Sequence, residues 1–397
     1  NVFLADTVIP MGKFSELDLD EQKKGTLYLD SQALENLQIL DIMPRENHPI
    51  EKKNNSLFEY MDKTVTEFGR RMFKKWLISP LLDVKSIKQR QEAVNDLLSN
   101  LTVVEKFQEG LKKLPDIERM VNKTYNFTNR KRLIGAFVDN FARARLKDCL
   151  SLLKEMKKIE GLIEMFQEYI PTFSSQRLRE LTLFRDLNGK ENSKNDGIFP
   201  RINHIIEDLE KMVEVSSDGE ILPSPGVNAK SDEILEKINE IKNSLQEYLE
   251  TQKKLLNNDK LTFAHTKFDY EIEIPEHLVE GAKKPANYVI TSKKKGFLRF
   301  HTPEIEAYVK QLKEVQEEFK QVFVPFVCDY FKKFYERKHY WQQIISCLGE
   351  LDCLCGLAVL AASMKTKCLP QVIAMNDRPI FNLRDMVHPL VADKGRP

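Results

Sequence analysis

Two heptad seams enclose a stretch of strand pattern, and this arrangement constrains the fold more than any other feature of the chain. Ile234, Ile238, Ile241, Leu245, Tyr248 and Leu255 recur at alternating steps of four and three, with Gln252 as the one polar member. Ile305, Tyr308, Leu312, Val315, Phe319, Val322 and Phe326 repeat the spacing. Such spacing puts the apolar residues on one stripe of a helix and asks for a partner helix. Ser231 reads as the cap of the first helix, with Asp232 and Glu233 in its opening turn. Thr302 reads as the cap of the second, with Pro303 at the first helical position. Between the seams the period changes to two. Phe268, Tyr270, Ile272 and Ile274 alternate with Asp269, Glu271 and Glu273, and strands are expected at 287–291 and 297–301. The predicted fold is mainly α, with two long antiparallel helices carrying a small antiparallel sheet, formed from about 261–301, at their far end. The second helix spans roughly 50 Å at about 1.5 Å per residue. Pro325 lies inside it, and a kink or short break is expected there.

The rest of the chain is also mostly helical in pattern. From Ser56 to Leu98 apolar residues recur at threes and fours, with a break at 79–83 and a new helix near Val84. A short unit follows at 112–121, with Pro115 at its start, and helical patterns return at 142–169 and 202–213. Residues 26–40 alternate and then turn helical. A polar linker occupies 43–55, and loops occupy 188–197 and 216–230.

Composition bounds the function. The 397 residues hold 61 Lys and Arg against 60 Asp and Glu, so net charge alone argues nothing about nucleic acid. Cys149, Cys328, Cys347, Cys353, Cys355 and Cys368 read as reduced core thiols, because Cys353 and Cys355 point to different sides of a helix and make a poor chelate. The seven histidines are scattered without ligand spacing and read as surface or core residues. No phosphate-binding loop, H-E-x-x-H, C-x-x-C or G-x-S-x-G occurs. No catalytic residue and no metal site is expected within these residues. No apolar run reaches about 18 residues, and the expectation is a soluble intracellular chain.

One charge cluster stands out. Between Gly281 and Pro303 lie Lys283, Lys284, Lys293, Lys294, Lys295 and Arg299, without one acidic residue. Clustered cations on a projecting element suit phosphate contact. The competing reading is a lysine-rich turn that protects a sheet edge from pairing with other chains. The acidic strand face at 269–273 must turn away from DNA or pair with these cations across the sheet.

At this point the residues resemble a known family. The matching features are T-x-x-G-R-R at Thr66–Arg71, W-L-x-x-P-L at Trp76–Leu81, I-x-x-R-Q-x-A-V at Ile87–Val94 and L-P-D-I-E-R at Leu114–Arg119. Together with 219–234, 270–278, 288–306 and the V-H-P-L-V at Val387–Val391, they resemble, in this order, the lever and clamp of the MutS mismatch-repair family. Val387 stands where the family usually has Arg. The insert lengths look like those of the eukaryotic sixth-homolog branch. The resemblance covers roughly residues 26–397.

The resemblance implies a helical lever bundle, with two long antiparallel arms carrying a small antiparallel β clamp. It divides the chain into the tail of a connector domain (1–25), a first lever part (26–230), a clamp (231–303), a returning lever part (304–370) and the start of an ATPase domain (371–397). It places the mismatch-reading aromatic before residue 1 and the P-loop beyond residue 397. The implied parent is a nuclear ATPase using ATP and Mg. It pairs with a second-homolog subunit, encircles mismatched duplex DNA and passes the DNA-bound state to the ATPase domain. The six cations are then contacts to the DNA backbone. Other readings are a coiled-coil hinge protein of the chromosome-maintenance type, whose arms are far longer, and a meiotic family member binding branched DNA.

Overall fold

The structure is a computed structural model that describes residues 25–40, 56–127, 138–185, 197–216, 219–266, 269–276, 288–373 and 380–392. The 43–55 linker, most of the 188–197 loop, Phe268, Lys283, Lys284 and nearly all of the 1–25 tail lie outside these residues. The described chain is mainly α and falls into two units, one of residues 1–126, 148–208 and 334–397, the other of 127–147 and 209–333.

The first unit is a helix bundle. Its helices include α1 (Glu67–Ile78), α2 (Val84–Ser99), α3 (Leu101–Leu111), α4 (Ile117–Tyr125), α5 (Gln176–Thr182) and α6, of which Asn203–Glu210 is the full span. The helical pattern from Ser56 has an additional interruption at 62–66, after a short helix Leu57–Met61. The bundle is built on the helix Lys338–Ser363, whose apolar side chains are largely buried. That helix is long and apolar enough to cross a membrane, by length and composition alone. It nevertheless carries Asp352, fully buried, which no purely apolar environment could satisfy.

Asp352 answers that problem with backbone donors. Its carboxylate accepts the N–H of Val65 at 3.0 Å and of Thr66 at 2.9 Å, and the Thr66 hydroxyl donates to it at 2.7 Å. Thr66 in turn caps α1 by accepting the Gly69 N–H at 3.0 Å. This explains the glycine of T-x-x-G-R-R: a Cβ at Gly69 would lie 2.2 Å from Asp352 Oδ2 and 2.7 Å from Thr66 Oγ1. The motif's last arginine joins the L-P-D-I-E-R motif. Arg71 donates from Nη1 and Nη2 to both oxygens of Asp116, at 2.9 and 2.7 Å, and from Nε to Glu118 at 2.8 Å.

The device of a carboxylate on a helix start recurs. Asp96 accepts the N–H groups of Ser174 and Ser175, both at 2.8 Å, ahead of α5. Glu160 accepts those of Ile202 and Asn203, at 2.6 and 2.8 Å, at the start of α6. Trp76 packs at the edge of a small core cluster. It is half-buried beside Phe58, Phe73 and Cys353, with the Arg90 guanidinium 3.5 Å from its ring centroid. Five cysteines are buried, as expected, but Cys368 is exposed because it follows the last turn of Lys338–Ser363.

The second unit contains α7 (Ala229–Leu255) and most of α8 (Pro303–Glu336). Asn228, not Ser231, caps α7: its side chain accepts the N–H groups of Lys230 and Ser231. Ser231 is drawn inside the helix and fully buried. Thr302 caps α8 as read, accepting the Ile305 N–H at 3.2 Å. Ile234, Ile238, Leu245 and Gln252 on α7, and Ile305, Leu312, Phe319 and Phe326 on α8, are buried. Leu255 leaves the seam and is exposed, at the last residue of its helix. The pairing is antiparallel, because Tyr248 near the end of α7 bonds Thr302 and Glu304 at the start of α8.

Pro325 does not break α8, which runs through it. Phe323, Phe326, Val327 and Tyr330 around it are buried, and Phe319, Phe323 and Phe326 form a ladder with ring centroids 5.6 and 6.2 Å apart. Side-chain packing therefore offsets the missing backbone bond. Pro325→Ala is expected to raise stability, by up to about 3 kcal/mol, read as a higher thermal midpoint.

Asp352 gives a pH signature. Burial pushes its pKa up to about 6, against the opposing bonds from Thr66 and Val65, and nearby Asp62 adds to the rise. A raised carboxylate pKa stabilises the fold most below the unfolded value of about 3.9 and loses that contribution as pH climbs through about 6. Comparing denaturation of the native chain with that of Asp352→Asn isolates this term. The difference in stability should change by on the order of 2–3 kcal/mol between these pH values.

Candidate nucleic-acid interface

The sheet of the second unit comprises β1 (Thr262–Ala264), β2 (Glu271–Pro275), β3 (Val289–Lys294) and β4 (Phe297–His301). All neighbours are antiparallel in the order β1-β2-β4-β3, so β3 is an edge strand. One face builds a core with the two helices. Ile272, Ile274, Leu298, Phe300 and Tyr288 gather with Leu245 and Leu249 of α7 and Ile305 and Val309 of α8. The expected helix, sheet, helix arm is therefore present.

Its one polar seam residue is satisfied inside that core. Tyr288 donates its hydroxyl to Gln252 Oε1 at 2.6 Å. Burial, with Tyr248 and Glu304 nearby, pushes the Tyr288 pKa up to about 12, which keeps the hydroxyl protonated as donor. The strand reading needs one local change. Tyr270 has φ +58, and the strand begins after it, at Glu271.

The opposite face holds Glu271 and Glu273, and both are paired within the sheet. Glu273 stands directly across from Arg299, and the Arg299 Nε donates to it at 2.8 Å. Only 14% of the Arg299 side chain is exposed, so this cation is committed to the sheet. Glu271 is fully buried and accepts the hydroxyls of Thr266, Thr291 and Ser292. Burial opposes its ionisation, but these hydroxyls and the Arg299 charge outweigh it and lower its pKa.

The lysines remain outward. Lys293, Lys294 and Lys295 are exposed. Lys293 and Lys294 lie on β3 rather than in the connection, because the strand extends beyond residue 291 and pairs Lys294 with Phe297. Only Lys295 and Gly296 connect the strands, and Gly296 takes φ +82, which a glycine adopts without strain. The Lys294 ammonium sits 5.9 Å from the Phe297 ring centroid. Of the six cations singled out, three are brought together at the tip and Arg299 is paired; Lys283 and Lys284 lie outside the described residues. Sequence reasoning missed the hydroxyl shell of Glu271 and a bulge between Ile290 and Ser292. The consecutive hydroxyls of Thr291 and Ser292 were the available signal.

The second unit is thus a pair of long helices carrying an antiparallel sheet with a basic tip. The MutS domain III model matches residues 32–358, and the chain belongs to the MutS family. The chain is 27% identical over 380 residues to DNA mismatch repair protein Msh6 of Gallus gallus, an alignment covering 92% of this chain and 28% of that protein. It is likewise 27% identical over 380 residues to DNA mismatch repair protein MSH6 of Arabidopsis thaliana, covering 93% and 28%. DNA mismatch repair protein Msh3 of Homo sapiens is 26% identical over 376 residues, covering 93% and 30%. The sixth-homolog likeness is thus found among the relatives, and this chain spans a little over a quarter of their length.

Arg299→Met should cost about 1–3 kcal/mol, because it leaves Glu273 without its charged donor on the sheet. Chemical denaturation of the purified variant reads this directly.

Proposed function

We propose that this chain is the lever-and-clamp portion of a mismatch-recognition protein, with the sheet closing on duplex DNA through its phosphates. The division at 1–25, 26–230, 231–303, 304–370 and 371–397 into connector tail, lever, clamp, returning lever and ATPase start belongs to this reading. So do a nuclear location, a second-homolog partner subunit, and an ATPase domain using ATP and Mg beyond residue 397. The observation that carries it is the exposed lysine tip on the arm of a chain that belongs to the MutS family.

In this reading Lys293, Lys294 and Lys295 contact phosphates, with Lys283 and Lys284 in support. Arg299 holds the strand through Glu273. Such contacts carry no sequence information and are salt-dependent. Three released counterions give a log–log salt slope of about −3, so the chain alone should bind duplex weakly at physiological salt and without mismatch preference.

Fluorescence anisotropy across a salt series on the parent heterodimer tests the reading. Replacing all three lysines by glutamine should weaken matched and mismatched duplexes alike and flatten the slope by about three units. Unchanged affinity and slope would mean the lysines protect the β3 edge, which its outer position in the sheet also favours. Lost discrimination with preserved affinity would mean the tip reads bases.

A further inference from the structure

The three tip lysines are not equivalent, because a strand sends successive side chains to opposite faces. Residues directly opposite one another in the ladder share a face. Ile290, itself 46% exposed, stands across from Phe300, whose side chain packs with the helices. Regular alternation would then send Thr291 to the outer face, Ser292 back to the helix face and Lys293 outward. The observed register differs. Ser292 stands across from Arg299, Lys293 from Leu298 and Lys294 from Phe297. The extra residue at Thr291 therefore puts Thr291 and Ser292 on the outer side in succession, and exchanges the faces of the two lysines that follow.

Glu271 is the group that gathers both hydroxyls. Thr291 and Ser292 both donate to its Oε1, the latter at 2.9 Å, while Thr266 donates to its Oε2. Side chains from neighbouring strand positions reach one carboxylate only where alternation is interrupted. The buried acid and the bulge thus meet at these two hydroxyls. The bulge also decides what surrounds each ammonium. Lys293 shares its side with Leu298, which is buried against the helix arms. Lys294 shares its side with Arg299 and Phe297, and its ammonium stands over the Phe297 ring.

We propose that Glu271 is a positioning residue: by holding Thr291 and Ser292 in the bulge it sets Lys294, rather than Lys293, on the outer face as the principal phosphate-binding lysine of β3. This rests on the phosphate-contact reading above, and single substitutions separate the two. The probe is a fluorescent DNA duplex at low ionic strength, bound by the full chain, with the salt slope as readout. Partial unfolding lowers the amount of active protein but leaves that slope unchanged.

Lys294→Gln should flatten the slope by about one unit, the value of one lost phosphate contact, and Lys293→Gln by much less. Equal losses would overturn the role of the bulge and leave the phosphate reading standing. No change from either, nor from both together, would overturn both. The positioning role has its own test in Thr291→Val combined with Ser292→Ala, which keeps side-chain size nearly constant and removes the two donors. In that background the strand is free to slip by one residue, and the slope loss should pass from Lys294 to Lys293. Deleting residue 291 from the same background restores regular pairing with Lys294 outward, and should restore the original asymmetry. If the double variant keeps the native asymmetry, Glu271 does not position the lysines.

Discussion

A buried carboxylate seated on the first N–H groups of another segment is the interaction on which the helical unit depends. Asp352 sits at the middle of the most buried helix and would be costly there without partners. Its acceptance of the Val65 and Thr66 N–H groups converts that cost into a joint between elements almost three hundred residues apart in sequence. The first N–H groups of a helix lack intrahelical partners and carry partial positive charge. Asp96 and Glu160 apply the same chemistry before α5 and α6. Apolar packing is tolerant of small rotations, but each joint admits one geometry.

In the arm the corresponding principle is internal neutralisation. The two acids of β2 find partners inside the sheet, Glu273 on Arg299 and Glu271 on three hydroxyls. Its one polar seam residue finds Tyr288. Outward at the β3–β4 connection stand Lys293, Lys294 and Lys295. The β3–β4 connection is therefore basic, although the chain as a whole carries a net charge of only +1.

The sequence made the architecture legible where a period persisted. The two seams located α7 and α8 and implied that they pair, because a stripe of apolar residues needs a partner along its whole length. The change to period two located the sheet. Residues that depend on a distant partner were harder to place. Ser231 has the chemistry of a cap, but Asn228 stands three residues earlier and takes the role. Pro325 carries a local signal to break the helix, and the aromatic ladder overrides it. Arg299 counted as a free cation until the register placed Glu273 opposite. The bulge was invisible for the same reason: it is a relation between two strands, while the sequence shows them one at a time.

The crowding at Gly69 has a consequence for divergence. The space that a Cβ would need is already held by an oxygen of Asp352, and the Thr66 hydroxyl closes the remaining side. These three positions are thus coupled in space. A mutation to alanine at Gly69 becomes tolerable only after the carboxylate has been shortened or lost, and a glutamate at 352 is one methylene too long for the same gap. An exchange at any one of the three therefore limits what the other two can be, and serine at 66, which keeps the hydroxyl, disturbs them least.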